Sequence, residues 1–134
     1  MAKKKDVDLL IKKRLRKGDD GFKLITASNG KNYYYRYFHG NEGNDDGSNT
    51  FKRDKKKKEF TCTFFDADSY PDYEFVEFFD KNFAKQLTGK IQKKGRQVKI
   101  TNKNTKLGTF NWGVKVKVEK GVTVDCDPPV RNRR

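Results

Sequence analysis

Residues 69–89 read SYPDYEFVEFFDKNFAKQLTG, and the fold turns on whether they form a helix or strands. Phe75, Val76, Phe79, Phe83 and Leu87 recur at spacings that fall on one face of an α-helix. Ser69 followed by Asp72 has capping-box spacing, and Pro71 stands where a first helical turn needs no amide donor. The acids Asp72 and Glu74 suit the positive start of a helix, and Gly89 suits its stop. Glu77 and Lys81 are placed for an i,i+4 pair. The spacing predicts a helix over this stretch.

Outward from it, the chain reads as strands. In Thr109–Glu119, Phe110, Trp112, Val114, Val116 and Val118 alternate with Lys115, Lys117 and Glu119, as in a half-buried strand with a cationic outer face on which Lys115 and Lys117 are expected to meet nucleic acid. Arg96–Thr101 alternates likewise, with Val98 and Ile100 inward, and 102–108 (NKNTKLG) reads as a hairpin tip joining the two. Asn32–His39 (NYYYRYFH) and Glu59–Phe65 (EFTCTFF) are rich in β-forming aromatics and threonine. Phe22–Ala27 is a short strand turned into Asn32–His39 through Ser28–Lys31. Val7–Leu15 reads as strand or basic helix, with strand favoured. Gly40–Asn49 is almost all Gly, Asn, Asp and Ser, the composition of a loop. The expected organisation is a basic end at 1–6, one domain at 7–126, and a disordered basic tail at 127–134.

The chain has 134 residues, 32 Lys and Arg against 18 Asp and Glu, and a net charge of +14. It is only 33% hydrophobic, yet it carries 11 Phe, 6 Tyr and 1 Trp. A disordered basic tail lacks aromatics on that scale, so the chain is expected to fold as one modest domain. No apolar run approaches the ~20 residues that span a bilayer, and Met1–Lys5 leads into charge rather than a secretory segment. A soluble cytoplasmic protein is expected, with Cys62 and Cys126 as reduced thiols. The charge is arranged in blocks: net +8 over 1–65, −6 over 66–80 and +12 over 81–134. The acidic block is expected to lie away from the cationic surface.

Signatures of catalysis fail. Leu87–Lys90 resembles the end of a phosphate loop, but Ala84 and Ile91 stand where glycine and a hydroxyl residue are needed. Glu42–Arg53 has Gly47 in a calcium-loop position but ends on Arg53 instead of a bidentate glutamate. Two cysteines and His39 at unrelated spacings make no zinc site. Asp66, Asp68 and Asp72 invite a metal-dependent nuclease reading, yet no acid-x-Lys triplet follows to complete it. No enzyme activity and no cofactor are expected.

Binding signatures fare better. Unpaired nucleic acid needs cations for its phosphates and flat side chains for its bases. The chain interleaves them in Tyr33–Phe38 and in Lys52, Arg53, Lys55, Lys56, Lys57 and Lys58 leading into Phe60. Arg36 is a poor core residue, so its face, with Tyr34 and Phe38, is expected outward. Tyr33, Tyr35, Tyr37 and Trp112 are open to core or stacking use, and the Val and Phe companions of Trp112 favour the core.

The order strand, short strand, strand, long polar loop, strand, helix and hairpin is that of the OB-fold, a five-stranded Greek-key barrel with a helix between its third and fourth main strands. Over roughly Val7–Val124 the chain resembles the bacterial and phage single-stranded DNA-binding protein family. Val7–Gly30, Asn32–His39, the Gly/Asn/Asp loop with its Lys-rich arm, and Glu59–Phe65 match that family's layout. Lys94-Gly95-Arg96-Gln97-Val98 is similar to its Lys-Gly-x-x-Val opening of the fourth strand. The resemblance implies a homo-oligomer that coats single-stranded DNA with little sequence preference during replication or recombination, RNA being the alternative ligand. It implies Phe60 stacking at the base of the arm, Lys55–Lys58 on phosphates, help from Tyr34 and Phe38, and contact from Lys103 and Lys106. The second strand is unusually rich in tyrosine. Arg131, Arg133 and Arg134 stand where cellular members have an acidic, partner-recruiting tail, a departure that suggests a phage or plasmid protein.

Overall fold

A computed structural model describes residues 6–39, 50–52, 57–80, 87–103, 108–126 and 129–133. Eleven strands form two sheets, with short 3-10 turns at Ala67–Ser69 and Lys93–Gly95 and no α-helix among the described residues. The first sheet uses β1 (Val7–Lys12), β2 (Lys23–Thr26), β3 (Asn32–His39), β5 (Lys58–Phe64), β7 (Leu87–Gln92) and β8 (Gln97–Asn102), in the order β2-β3-β1-β5-β8-β7. Only the β1–β5 contact within it is parallel. The second sheet contains β4 (Thr50–Lys52), β6 (Glu74–Asp80), β9 (Gly108–Glu119), β10 (Val122–Cys126) and β11 (Pro129–Arg133). Its order is β10-β9-β11-β4, with β6 also paired to β9. The protein is mainly β, as the sequence indicates, but among the described residues the strands close no barrel.

The expected helix is the principal correction. Residues 74–80 form β6, antiparallel to β9, and Leu87–Gln92 form β7; residues 81–86, including Lys81 and Phe83, lie outside the described set. The sequence EFVEFF is β-branched and aromatic, which suits a strand. The strand departs from strict alternation at one point. The ladder shifts register between Phe75 and Glu77, and a bulge places two residues against one partner. Phe75 and Phe78 therefore both reach the core, while Val76 is left exposed. The face expected from Phe75, Val76 and Phe79 is not formed, since Val76 is exposed and the Lys115 ammonium lies 5.8 Å from the Phe79 centroid.

Two further expectations change. Lys103 ends the β8 side of the supposed hairpin and Lys106 lies outside the described residues, but β8 and β9 belong to different sheets. The C-terminal residues expected to be disordered include β11, which pairs with β9 and runs parallel to β4. The β10 and β11 pairings keep one register along β9, from Cys126 opposite Val114 to Pro129 opposite Asn111. The loop Gly40–Asn49 lies outside the described residues.

Alternation along the strands fills the space between the sheets with rings. Tyr33, Tyr35, Tyr37, Phe60, Phe64, Phe75 and Trp112 are all buried. Trp112 has Tyr37 at 5.4 Å and Phe60 and Phe78 each at 6.0 Å, centroid to centroid. Phe64 and Phe75 stack across the sheets at 4.1 Å and 5°. The Tyr37 hydroxyl donates to the Cys126 carbonyl at 2.9 Å, which satisfies a buried polar group. Cys62 and Cys126 are free and buried, and burial pushes the Cys62 thiol well above its ordinary range. At the margin of this core Gly89 faces the Phe78 ring so closely that an added Cβ would sit 2.3 Å from it.

Phe60 is thus a core residue at 2% exposure, and its expected stacking role is overturned. Its neighbours on β5 alternate Glu59 out, Phe60 in, Thr61 out, so the buried face is set by the ladder. Phe60→Ala is expected to cost about 3–5 kcal/mol of stability in urea denaturation. Gly89→Ala is expected to cost about 1–3 kcal/mol through overpacking against Phe78. A Phe60→Ala protein of unchanged stability would contradict this core.

Candidate nucleic-acid interface

The outer face of the first sheet is assembled from the residues that alternate away from the core. On β3 these are Tyr34, Arg36 and Phe38, all half-buried, so the face expected from Arg36 is the one that points outward. Register sets Phe38 opposite Asp8, Arg36 opposite Leu10, and Tyr34 opposite both Lys12 and Leu24. Phe65 follows directly on β5, and its amide donates to the Leu9 carbonyl at 2.8 Å. Because Phe64 turns inward, Phe65 turns outward and lands on Phe38.

The result is a platform of flat groups. Phe38 is stacked by Phe65 at 5.0 Å and 26°, and the Arg36 guanidinium lies 4.3 Å from its centroid. Phe22 meets Phe38 edge-on at 6.5 Å, with the Lys12 ammonium 5.3 Å from the Phe22 centroid. Arg36 is held in place from below the loop: its Nη1 donates to the Asp20 carbonyl at 3.2 Å. Gly21 adopts φ +75°, and a Cβ there would come within 3.2 Å of Arg36 Nε, so glycine makes room for the guanidinium. Phe65, at 39% exposure, is the open end of the stack.

The loop between β1 and β2 adds charge at the same end of the sheet. Lys13, Arg14, Arg16 and Lys17 are exposed and carry no ion pair among the described residues. Asp19 organises this loop by accepting from the Arg16 amide at 2.7 Å and from Lys12 Nζ at 2.9 Å. Those two hydrogen bonds, the backbone one first, hold the Asp19 carboxyl below its ordinary value of 3.8.

At the far edge of the platform, His39 takes φ +71° and ends β3. Its Nδ1 lies 2.5 Å from Asp8 Oδ2, while Thr63 Oγ1 donates to Asp8 Oδ1 at 2.7 Å. Both Asp8 oxygens are therefore engaged.

The other expected residues are placed elsewhere. Lys57, Lys58 and Lys103 gather at the opposite end of the first sheet, since Lys58 pairs with Asn102. Lys52 belongs to β4, in register with Arg133; Arg53, Lys55 and Lys56 lie outside the described residues. Lys115 and Lys117 are on the second sheet, 3.7 Å from Glu77 and 3.8 Å from Glu74. The acidic block thus lies against the cationic strand rather than away from it, and its carboxylates offset the two lysines expected to meet nucleic acid. Asp66, Asp68 and Asp72 are exposed in the turns after β5, and among the described residues no three potential ligands converge to hold a metal ion. Among those residues, too, no helix is long and apolar enough to cross a membrane.

Sequence reasoning missed Phe22, Phe65 and the Lys13–Lys17 cations. One signal was available for Phe65: adjacent residues in a strand face opposite ways, so Phe64 and Phe65 cannot both be core. No protein-family model matches the chain, and no curated protein does so either.

Because the Asp19 carboxyl is depressed, the stability it lends the loop is complete above pH 3.8 and is lost as pH falls below 3.8 through the folded value. Carboxyl NMR is expected to show its midpoint below 3.8. Lys12→Ala should raise that midpoint only part of the way, since the Arg16 amide remains. A midpoint at or above 3.8 in the unsubstituted protein would remove the loop anchor.

Proposed function

We propose that the protein binds single-stranded DNA without catalysis and with little sequence preference, coating it during replication or recombination. The observation that carries this reading is the outward Arg36–Phe38–Phe65 stack, with four exposed cations in the loop between β1 and β2. Bases stack on aromatic faces regardless of identity, and phosphates are neutralised by flexible cations nearby. Buried rings give a small domain its core; a half-exposed pair of stacked rings on a charged sheet face costs solvation and offers a ligand surface. The support lies in this platform. The helix and barrel implied by the family resemblance are not what the strands form, so they lend the reading nothing.

Phosphate neutralisation lowers log K with log salt at about −0.7 per phosphate on a single strand. Four loop cations therefore give an expected slope of roughly −3 in titrations of labelled oligothymidylate. Phe65→Ala is expected to lose about 1–3 kcal/mol of affinity while keeping the fold, because the ring is exposed. A matched oligouridylate titration separates DNA from RNA preference. Absence of binding to either strand at low salt would refute the proposal.

A further inference from the structure

The outer face of the first sheet has a second half with different chemistry. On β5, β8 and β7 the outward residues fall in register as three rows: Thr63–Gln97–Gln92, Thr61–Lys99–Lys90 and Glu59–Thr101–Thr88. The lattice holds no ring and no apolar side chain. Its first row continues the line Phe38–Asp8–Thr63 directly from the platform. From β2 to β7 five strand spacings of ~4.8 Å give a face about 24 Å wide.

A polar outer face is ordinary for an antiparallel sheet. Its middle row is less ordinary, because Lys99 and Lys90 stand directly opposite each other. Like charges at such a pair are destabilising. Glu59, 3.0 Å from Lys99, relieves one of them, and Lys90 is exposed without an ion pair among the described residues. An anion lying between the two ammonium groups would relieve both. The hydroxyls of Thr61, Thr88 and Thr101 and the amides of Gln92 and Gln97 are neutral donors suited to phosphate and sugar oxygens and do not stack on bases, whereas the Thr63 hydroxyl is already donated to Asp8.

Resting on the single-strand reading above, we infer that this lattice is a backbone subsite. It carries the sugar–phosphate chain of the same strand after its bases leave the Phe38–Phe65 stack. The two halves divide the work: one supplies base stacking and the other supplies charge and hydrogen bonds.

The division makes length and charge sign the diagnostic variables. A thymidine oligomer of about four nucleotides should engage the stack alone, and one of about twelve should reach the lattice. Lys90→Gln is expected to weaken the longer oligomer roughly two- to fivefold and to make its salt slope shallower by about 0.7. Glu59→Gln, which releases Lys99, is expected to tighten the longer oligomer by a similar factor. Both variants should leave the short oligomer unchanged, while Phe65→Ala weakens both lengths. Equal effects of Lys90→Gln and Glu59→Gln at both lengths, or no effect at either, would overturn the subsite. Failure of the unsubstituted protein to bind either oligomer would instead overturn the parent reading.

Discussion

The antiparallel pairing of β6 with β9 is the contact on which the rest of the molecule depends. It brings the most acidic stretch of the chain onto a lysine-bearing strand, with Glu74 facing Lys117 and Glu77 facing Lys115 in register. Exposed ion pairs at 3.7–3.8 Å contribute little stability, about 0–1 kcal/mol each. The backbone ladder and the burial of Phe75 hold the strand. What the ion pairs change is the distribution of charge. They offset Lys115 and Lys117 on the second sheet. The same pairing carries Phe75 onto Phe64 and Phe78 onto Trp112, which joins the two sheets through one aromatic core.

That core explains why a chain only 33% hydrophobic can fold. Each aromatic ring removes much apolar area from water for one residue, so a few rings replace many aliphatic side chains. The cost is polar groups that need partners. Tyr37 finds one in the Cys126 carbonyl. Trp112 Nε1 does not, and it is the buried side-chain polar atom without a partner among the described residues. An unsatisfied donor of this kind costs about 1–3 kcal/mol, offset by the packing of three rings around the indole.

Much of the strand structure was legible, because β3 and β9 carry unbroken alternation that only a strand with one buried face explains. Arg36 also identified the outward face of β3 correctly, since a guanidinium in the core would need a buried partner. The helix was misread because one bulge at Val76 shifts alternation by a residue, and no local propensity marks where a bulge falls. Phe60 was misassigned by resemblance, although Phe60, Cys62 and Phe64 share a parity and must share a face. The loop cations were passed over because their value depends on how Asp19 folds the loop, through Lys12 and the Arg16 amide, a tertiary fact. The neutralisation of Lys115 and Lys117 was equally hidden, since it required knowing that the acidic stretch is a strand.

The central claim is that a single strand lies on the ring-bearing face of the first sheet and not on the lysine-bearing face of the second. Ultraviolet crosslinking of the intact protein to oligothymidylate, followed by mass spectrometry of the joined peptides, reads this directly. Crosslinks are expected at Phe65, Phe38, Phe22 or Tyr34, and to disappear in high salt. Crosslinks concentrated on β9 and β10, around Lys115 and Lys117, would contradict the assignment of the face.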